Sequence, residues 1–185
     1  QEDLPEELLS GEMEELAGGG LRFRGKTTIL LASELETAEE NGAGSHHISY
    51  FATLAQLRDF SRIVSASVTN LELSSQRCRM PARKLWEITE AVGGLFVPAH
   101  VFTPHKSVYG TCAPRLSEIF GERALASIPA VELGLSADSF LADRIGELAD
   151  LTFLSNSDAH SLPKIAREYN ILEMEKPTFA EFEKA

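Results

Sequence analysis

The sequence contains no apolar run close to the roughly 20 residues that a membrane-spanning helix requires, so we expect no membrane segment. It has only two cysteines, Cys78 and Cys112, which excludes a cysteine-rich zinc site and a disulfide framework and fits a cytoplasmic protein. Positive charge is also scarce, since 17 Lys and Arg stand against 28 Asp and Glu, for a formal net charge of -11. This balance argues against a broad electropositive surface for nucleic acid, but not against a cleft in which metal ions neutralise phosphate.

The composition and the pattern of predicted strands and helices indicate one medium-sized α/β domain. The 185 residues are 43% hydrophobic, which is sufficient for a real hydrophobic core. Strand-like apolar runs occur at 27–32, 46–51, 95–97, 130–133 and 151–154. Helical patterns occur at 4–16, 53–65, 81–92, 116–120 and 138–148, and a last helix or turn begins at 165–169. The alternation of strands and helices predicts a largely parallel sheet.

The most informative stretch follows the last predicted strand and ends in Asp158-x-His160. Residues two apart on a strand point the same way, so this carboxylate and imidazole could grip one divalent cation. The alternative is a polar turn in which Asp158 caps the next helix and His160 has no role. Glu34 and His100 also follow apolar strands, and such strand ends are where α/β barrels assemble their sites. This repetition favours the metal site.

The candidate metal ligands form a mixed set of carboxylates and imidazoles: Glu34, His46, His47, His100, Asp158 and His160. The histidines at 46 and 47 are neighbours on one predicted strand, so at most one of them is expected to face a metal. Such a set suits Zn²⁺, Mn²⁺ or Fe²⁺ better than Ca²⁺. Two or three metals would activate water for the hydrolysis of a phosphate ester, so no side chain is assigned as the nucleophile.

Four further residues are candidates for contact with a substrate: His105, Lys106, Tyr109 and Arg167. The two cations could hold phosphate, and the tyrosine could stack on a base. The histidine lies in a loop and suits contact with substrate or with a ligand better than direct metal binding. The alternatives are solvation for the cations and core packing for the tyrosine.

Three segments together carry a family resemblance: Pro98-Ala99-His100-Val101-Phe102-Thr103-Pro104, Val131-Glu132-Leu133-Gly134-Leu135-Ser136 and Ser155-Asn156-Ser157-Asp158-Ala159-His160-Ser161. In this order they resemble the PHP (polymerase and histidinol phosphatase) superfamily, and within it the branch that contains endonuclease Q. The last of the three is the most specific. Ser33-Glu34-Leu35 and the His46-His47 strand fall where that branch places a glutamate and a histidine ligand. The likeness covers roughly residues 4–172.

The resemblance implies a PHP-type distorted (β/α)7 barrel with a cleft for two or three divalent metals (Zn, Mn, Fe or Mg) at the strand ends. It also implies hydrolysis of phosphoesters. The endonuclease Q branch nicks DNA beside deaminated bases and abasic sites, so DNA is the expected partner and DNA repair the expected role. Residues 1–185 are then expected to be a single PHP-like domain.

The sequence departs from the family pattern at one important point. The family begins with a strand that carries His-x-His, and this sequence has no His-x-His. We expect that the first strand lies upstream of Gln1 and that the C-terminal nucleic-acid-binding part of such nucleases is absent. The exposed sheet edge would then pair with the missing segment or with another chain. The competing functions are a small-molecule phosphatase of PHP type and a non-catalytic PHP-like scaffold.

Overall fold

The computed structural model describes residues 10–70 and 77–185. Within these ranges the strands are β1 Met13–Glu15, β2 Leu21–Phe23, β3 Thr27–Ile29, β4 Leu31–Glu36, β5 His46–Phe51, β6 Leu95–Pro98, β7 Ala130–Glu132 and β8 Thr152–Leu154. The α-helices are α1 Leu54–Ser65, α2 Ala82–Ala91, α3 Leu116–Leu125, α4 Ser139–Ala142 and α5 Phe179–Phe182. A π-helix spans Val108–Cys112, and 3-10 turns span Gly146–Leu148 and Leu162–Lys164. Across the same ranges, no helix combines the length and the apolar character that crossing a membrane demands.

The described strands form a mixed α/β fold with three small sheets. β1, β2 and β3 are antiparallel, β4, β5 and β6 are antiparallel, and β7 pairs with β8 in parallel. The prediction of a largely parallel sheet is therefore wrong for β4 to β6. The loop 37–45 between β4 and β5 is too short for the helical crossover that parallel strands need. Among the described residues, helices α1 and α2 lie between β5 and β6, and β6 pairs antiparallel with β5.

The three sheets do not close into a barrel within residues 10–70 and 77–185. β6 and β7 are neighbours, and the N–H of Val101 donates to the carbonyl oxygen of Glu132 at 2.9 Å just beyond β6. The β4–β6 sheet and the β7–β8 sheet therefore adjoin at β6 and β7.

The long amphipathic helices were predicted correctly. The patterns at 53–65 and 81–92 are confirmed by α1 and α2, and Thr53 with Gln56 forms a reciprocal cap at the start of α1. The pattern at 138–148 gives only the short α4 and a 3-10 turn, and of the two alternatives for 165–169 the structure shows a turn at 165–166.

The predicted helix at 4–16 is wrong where the structure can be compared with it. Residues 4–9 lie outside the described residues, and Met13–Glu15 is strand β1, paired with β2. The ion pair between Arg24 Nη2 and Glu12 Oε1, at 2.6 Å, supports this hairpin. Pairing with a neighbouring strand therefore overrides the local helical pattern of the acidic segment.

The main hydrophobic core lies between the β4–β6 sheet and helices α1, α2 and α3. Phe51, Phe60, Phe96 and Phe120 are all fully buried within it. Along β5, burial alternates: His47, Ser49 and Phe51 face this core, whereas His46, Ile48 and Tyr50 face the opposite side. The alternation of β5 therefore defines one side of the sheet as core and the other as the side of the candidate site.

Candidate metal centre

The pairing of β4 with β5 places two carboxylates and one imidazole on the same side of the sheet. Glu36 lies directly opposite His46, and Glu34 lies opposite Ile48. Directly opposed residues share a face, and residues two apart on one strand share it too. Glu34, Glu36 and His46 therefore project together from the edge where β4 ends and β5 begins.

His100 reaches this edge from the end of β6. The N–H of Ala99 still donates to the carbonyl oxygen of His46 at 3.0 Å, so the chain follows β5 up to that point. At His100 the backbone turns sharply, with a φ of 29°, a conformation that non-glycine residues adopt only at a cost. The turn directs the imidazole of His100 towards His46, and the two ring centroids are 5.0 Å apart.

Three donor atoms converge at this point. Glu34 Oε1 lies 2.7 Å from His46 Nδ1 and 3.7 Å from His100 Nε2, and the two nitrogens are 3.2 Å apart. All three lie within 4.8 Å of one another. Two nitrogens bound to one tetrahedral Zn²⁺ at about 2.0–2.1 Å would be about 3.3 Å apart, so the spacing fits a metal site. A carboxylate with two imidazoles also suits Mn²⁺ and Fe²⁺.

The three groups strongly influence one another's protonation. Hydrogen bonds from His100 and His46 hold the pKa of the Glu34 carboxyl at about 2, although burial opposes this. Burial lowers the pKa of His100, but the hydrogen bond and charge of Glu34 and the charge of Glu132 outweigh it, so that pKa is raised. Glu34 is thus an ionised acceptor at neutral pH, as a metal ligand must be.

Glu132 fixes the backbone around His100. Its buried carboxylate accepts hydrogen bonds from three backbone N–H groups: His100 at 2.5 Å, Gly134 at 2.8 Å and Asn156 at 3.3 Å. Burial raises its pKa, and the three N–H donors limit the rise. One side chain at the end of β7 therefore joins the ends of β6 and β8.

Gly134 allows His100 to approach β7 closely. A Cβ atom at position 134 would lie 2.7 Å from the Cβ of His100 and 3.1 Å from its Cα. Gly134 also has a φ of +69°, which favours glycine. Any larger residue here would push against the candidate ligand.

The structure separates the two neighbouring histidines of β5. His47 is fully buried on the core side, where its Nε2 lies 2.8 Å from Ser45 Oγ and its ring stacks on Phe96 at 5.1 Å. Burial lowers the pKa of His47 to about 3, and the nearby His46 and His100 add to the effect. Of the two candidates, His46 is therefore the one that the structure brings to Glu34 and His100.

We predict that His47 makes the fold less stable as the pH falls. The unfolded chain takes up a proton on this imidazole near pH 6.5, whereas the folded chain does so only near pH 3. The contribution of His47 is complete above about pH 6.5 and is lost progressively towards pH 3. Between about pH 7 and pH 5 the wild-type free energy of unfolding should fall by about 2 kcal/mol more than that of His47→Leu. Urea denaturation at a series of pH values measures the difference.

His105 supplies the control for this experiment, because it is exposed. The substitution His105→Leu removes the same titratable group and should keep the wild-type pH dependence. Equal pH dependence in His47→Leu and wild type would contradict the prediction.

The Asp158-x-His160 motif does not lie on a strand. β8 ends at Leu154, and Asp158 has a φ of 42°, so the two-residue alternation of a strand no longer applies. The side chain of His160 is 80% exposed and that of Asp158 is 49% exposed, and His160 Nδ1 is 3.0 Å from the carbonyl oxygen of Asp158. The structure therefore does not gather these two residues with Glu34, His46 and His100.

The loop that carries this motif is held by two other side chains. Arg167 donates from Nε to the carbonyl oxygen of Ser157 at 2.7 Å and from Nη2 to that of Asp158 at 3.3 Å. The amide of Asn170 accepts from the N–H of Ser155 at 2.8 Å and donates to its carbonyl oxygen at 3.0 Å. In this structure Arg167, a candidate for substrate contact, supports the loop.

The other substrate candidates differ in their surroundings. Lys106 Nζ lies 2.9 Å from Glu36 Oε2, and His105 is exposed in the same loop. The hydroxyl of Tyr109 donates to Glu147 Oε1 at 2.7 Å, and its ring stacks on Phe102 at 5.1 Å. Burial and the bond to Glu147 raise the pKa of Tyr109.

Sequence reasoning missed Glu36. Its carboxylate is nearly buried, contacts Lys106, and lies with Oε2 3.7 Å from His46 Nε2. Burial raises its pKa, but Lys106, His46 and Arg77 outweigh this, so the pKa is lowered overall. The alternation of Glu34 and Glu36 on one strand would have indicated that both face the same side. The predicted strand ended before these two residues, so this alternation was not recognised.

The chain was compared with protein-family models and with curated proteins. No family model matches the chain. An uncharacterized protein of Bacillus subtilis, YqxK, is 47% identical over 182 residues, which is 97% of this chain and 46% of that protein. An uncharacterized protein of Methanocaldococcus jannaschii is 60% identical over 47 residues, which is 24% of this chain and 6% of that protein.

Two solved structures of endonuclease Q have a fold similar to that of this chain. The lesion-specific endonuclease PfuEndoQ of Pyrococcus furiosus has a TM-score of 0.84 and 34% identity over 97% of this chain. A complex of endonuclease Q with a 27-mer duplex that has an abasic lesion at the active site has a TM-score of 0.84 and 33% identity. The chain is similar to endonuclease Q in sequence and in fold. It spans 44% of each endonuclease Q chain and 46% of YqxK, about half the length of these relatives.

Proposed function

We propose that this chain is part of a divalent-metal-dependent phosphoesterase, a DNA-repair endonuclease that hydrolyses phosphodiester bonds near deaminated or abasic nucleotides. The observation that carries the proposal is the convergence of Glu34 Oε1, His46 Nδ1 and His100 Nε2 within 4.8 Å. Support comes from the likeness to a lesion-specific endonuclease, which has a TM-score of 0.84 over 97% of the chain. DNA is accordingly the proposed partner, in keeping with the duplex bound by the related endonuclease Q.

The proposal extends to the architecture of the intact protein. We take residues 1–185 as one PHP-like domain whose sheet forms part of a distorted (β/α)7 barrel. The strand that would complete the barrel is proposed to come from another segment or another chain, and unpaired strand edges are suited to accept one.

The proposed metal ligands are Glu34, His46, His100, Asp158 and His160. A bound divalent ion would supply Lewis-acid stabilisation of phosphate and lower the pKa of water. Asp158 and His160 are included because their loop begins beside the centre: the N–H of Asn156 donates to Glu132, which also accepts from His100. Since both side chains are exposed here, the proposal requires the loop to rearrange when a metal binds.

The chain's own residues have distinct proposed tasks around the centre. Glu34 stays ionised as a ligand, and Glu132 fixes the backbone that presents His100. His105 and Lys106 lie in the loop after His100 and are proposed to contact substrate phosphate, together with Arg167. Tyr109 is proposed to support this loop through its bond to Glu147. The formal net charge of -11 is compatible with DNA binding at a cleft in which bound metal neutralises phosphate.

We predict that the double substitution Asp158→Ala with His160→Ala removes bound metal and leaves the fold intact. The wild type, purified without chelator, should contain two or three equivalents of Zn, Mn or Fe by elemental analysis, in keeping with multi-metal phosphoesterase sites. Because both side chains are exposed, the free energy of unfolding of the metal-free protein should change by no more than about 0.5 kcal/mol. Unchanged metal content in the double variant would remove these residues from the ligand set.

A matched control and a substrate comparison complete the test. The variant His105→Ala with Glu168→Ala also removes one exposed imidazole and one exposed carboxylate, and it should retain metal. The wild type should nick a duplex that contains uracil or an abasic site and leave the undamaged duplex intact. Hydrolysis of a small phosphomonoester without nicking would instead indicate a small-molecule phosphatase. Absence of metal, even after addition of Zn²⁺ or Mn²⁺, would indicate a non-catalytic domain.

A further inference from the structure

We propose that Glu36 orients the imidazole of His46 and thereby strengthens metal binding at the candidate centre. The inference rests on the proposed metal-dependent function. Glu36 is a positioning residue in this view, because it acts on the metal through His46.

The first basis is the register of the sheet. Glu36 and His46 are directly opposed across the β4–β5 pair, so their side chains leave the sheet side by side. His46 presents Nδ1 to Glu34 and His100 and turns Nε2 towards Glu36, whose Oε2 is 3.7 Å away. Glu36 thus flanks His46 on the side away from the other two donors.

The second basis is a buried nitrogen that needs an acceptor. Within the described part of the chain, His46 Nε2 is buried and has no hydrogen-bond partner. A neutral imidazole that gives the lone pair of one nitrogen to a metal carries its proton on the other nitrogen. A buried N–H without an acceptor is costly, and Glu36 Oε2 is a carboxylate oxygen within a small side-chain movement of it. A carboxylate in this place fixes both the tautomer and the ring orientation of a ligating histidine.

The third basis is the way in which Glu36 is itself held. Lys106 Nζ contacts Glu36 Oε2 at 2.9 Å, and the carbonyl oxygen of Lys106 accepts from the N–H of His46 at 3.0 Å. Arg77 Nε lies 3.7 Å from Oε1 of the same carboxylate. On the other side, a Cβ at Gly44 would be only 2.9 Å from Glu36 Oε1, so the backbone packs closely against it.

These contacts make Lys106 a competitor for the oxygen that His46 requires. When Lys106 is present, Oε2 is shared between an ammonium group and an imidazole. Removal of the ammonium group should let Glu36 move fully onto His46 Nε2. Lys106 would therefore weaken the action of Glu36 on His46.

The experiment measures Zn²⁺ affinity by competition with a chromophoric chelator, on the wild-type chain and three variants. Glu36→Ala should weaken Zn²⁺ binding about ten- to a hundredfold, as loss of such an outer partner usually does. Glu36→Gln should lose less than about tenfold, because its amide oxygen still accepts a hydrogen bond. Lys106→Met should bind Zn²⁺ at least as tightly as the wild type. The control Glu40→Ala removes an exposed carboxylate nearby and should leave the affinity unchanged.

A spectroscopic readout separates orientation from charge. Nitrogen-15 NMR of the Zn²⁺-bound protein should show His46 coordinated through Nδ1 and protonated on Nε2 in the wild type and in Glu36→Gln, and a mixture of coordinating nitrogens in Glu36→Ala. Equal losses of affinity in Glu36→Ala and Glu36→Gln would show an effect of charge alone and would overturn the inference. Should Glu36→Ala fail to fold, a tenfold loss in Lys106→Met would overturn it as well.

Zn²⁺ binding by the wild type distinguishes failure of the inference about Glu36 from failure of the proposed function. If the wild type binds Zn²⁺ and Glu36→Ala binds it equally well, the inference about Glu36 fails and the proposed function stands. If the wild type binds no Zn²⁺, the proposed function fails and the inference falls with it.

Discussion

Replacement of Glu132 by alanine is expected to destabilise the fold by about 3–5 kcal/mol and to abolish metal binding at the candidate centre. The substitution leaves the N–H groups of His100, Gly134 and Asn156 without their shared acceptor in a site that is 3% exposed. Each unsatisfied buried donor costs about 1–3 kcal/mol, and water entering the cavity recovers part of the sum. Urea denaturation and Zn²⁺ titration of the same samples measure the two effects.

Two further variants make the Glu132 result specific. Glu132→Gln keeps one acceptor oxygen of the same size and should lose about half as much stability as the alanine variant. Glu90→Ala removes an exposed carboxylate from helix α2 and should change stability by no more than about 0.5 kcal/mol. A loss below about 1 kcal/mol in Glu132→Ala would show that the three N–H groups find other partners, contrary to the expected role.

The substitution Gly134→Ala is expected to be the next most damaging, with a loss of about 2–4 kcal/mol and at least tenfold weaker metal binding. The new methyl group would lie 2.7 Å from His100 Cβ, and the φ of +69° adds strain for any residue other than glycine. Because His100 already occupies a strained turn, it would have to move away from His46 and Glu34. Thermal unfolding and Zn²⁺ affinity again report the two effects separately.

Gly25 offers a closely matched control for this experiment. It has the same φ of +69°, but a Cβ there would meet nothing within 4 Å. Gly25→Ala should therefore show only the conformational cost, about 1 kcal/mol, and unchanged metal affinity. Equal effects of the two substitutions would mean that the approach of Gly134 to His100 has no bearing on the centre.

The sequence located most of the strands and long helices but not the antiparallel direction of β4, β5 and β6. Short apolar runs in the sequence mark β5, β6, β7 and β8. Strands buried in any sheet need apolar side chains, so their positions can be recognised without knowledge of the sheet. Whether two paired strands run parallel or antiparallel depends on the connection between them. The pattern of residues within a strand does not contain this information. The acidic segment before Gly18 shows a different failure, since pairing of β1 with the following strand β2 replaces its helical pattern.

For the site, the sequence nominated Glu34, His46 and His100, which the structure brings together. It could not choose between His46 and His47, because alternation defines two faces and does not say which is the core. The choice is made by Phe96 and Phe120, which are distant in sequence and contact His47, together with the nearby hydroxyl of Ser45. Asp158 and His160 were expected on one strand face, and the early end of β8 removes the basis for that expectation.

The adjacent histidines of β5 also bear on how this strand finds its partners during folding. A pairing error of one residue would turn every side chain of β5 to the opposite face of the sheet. An imidazole would still point to the centre, because His47 would replace His46, so the ligand position does not discriminate against the error. The core face does, since the hydroxyl of Ser49 contacts buried Thr89 at 2.8 Å and a bulky Ile48 or Tyr50 would take its place. The register of β5 is thus specified by the core side of the sheet and not by the side that carries the candidate centre.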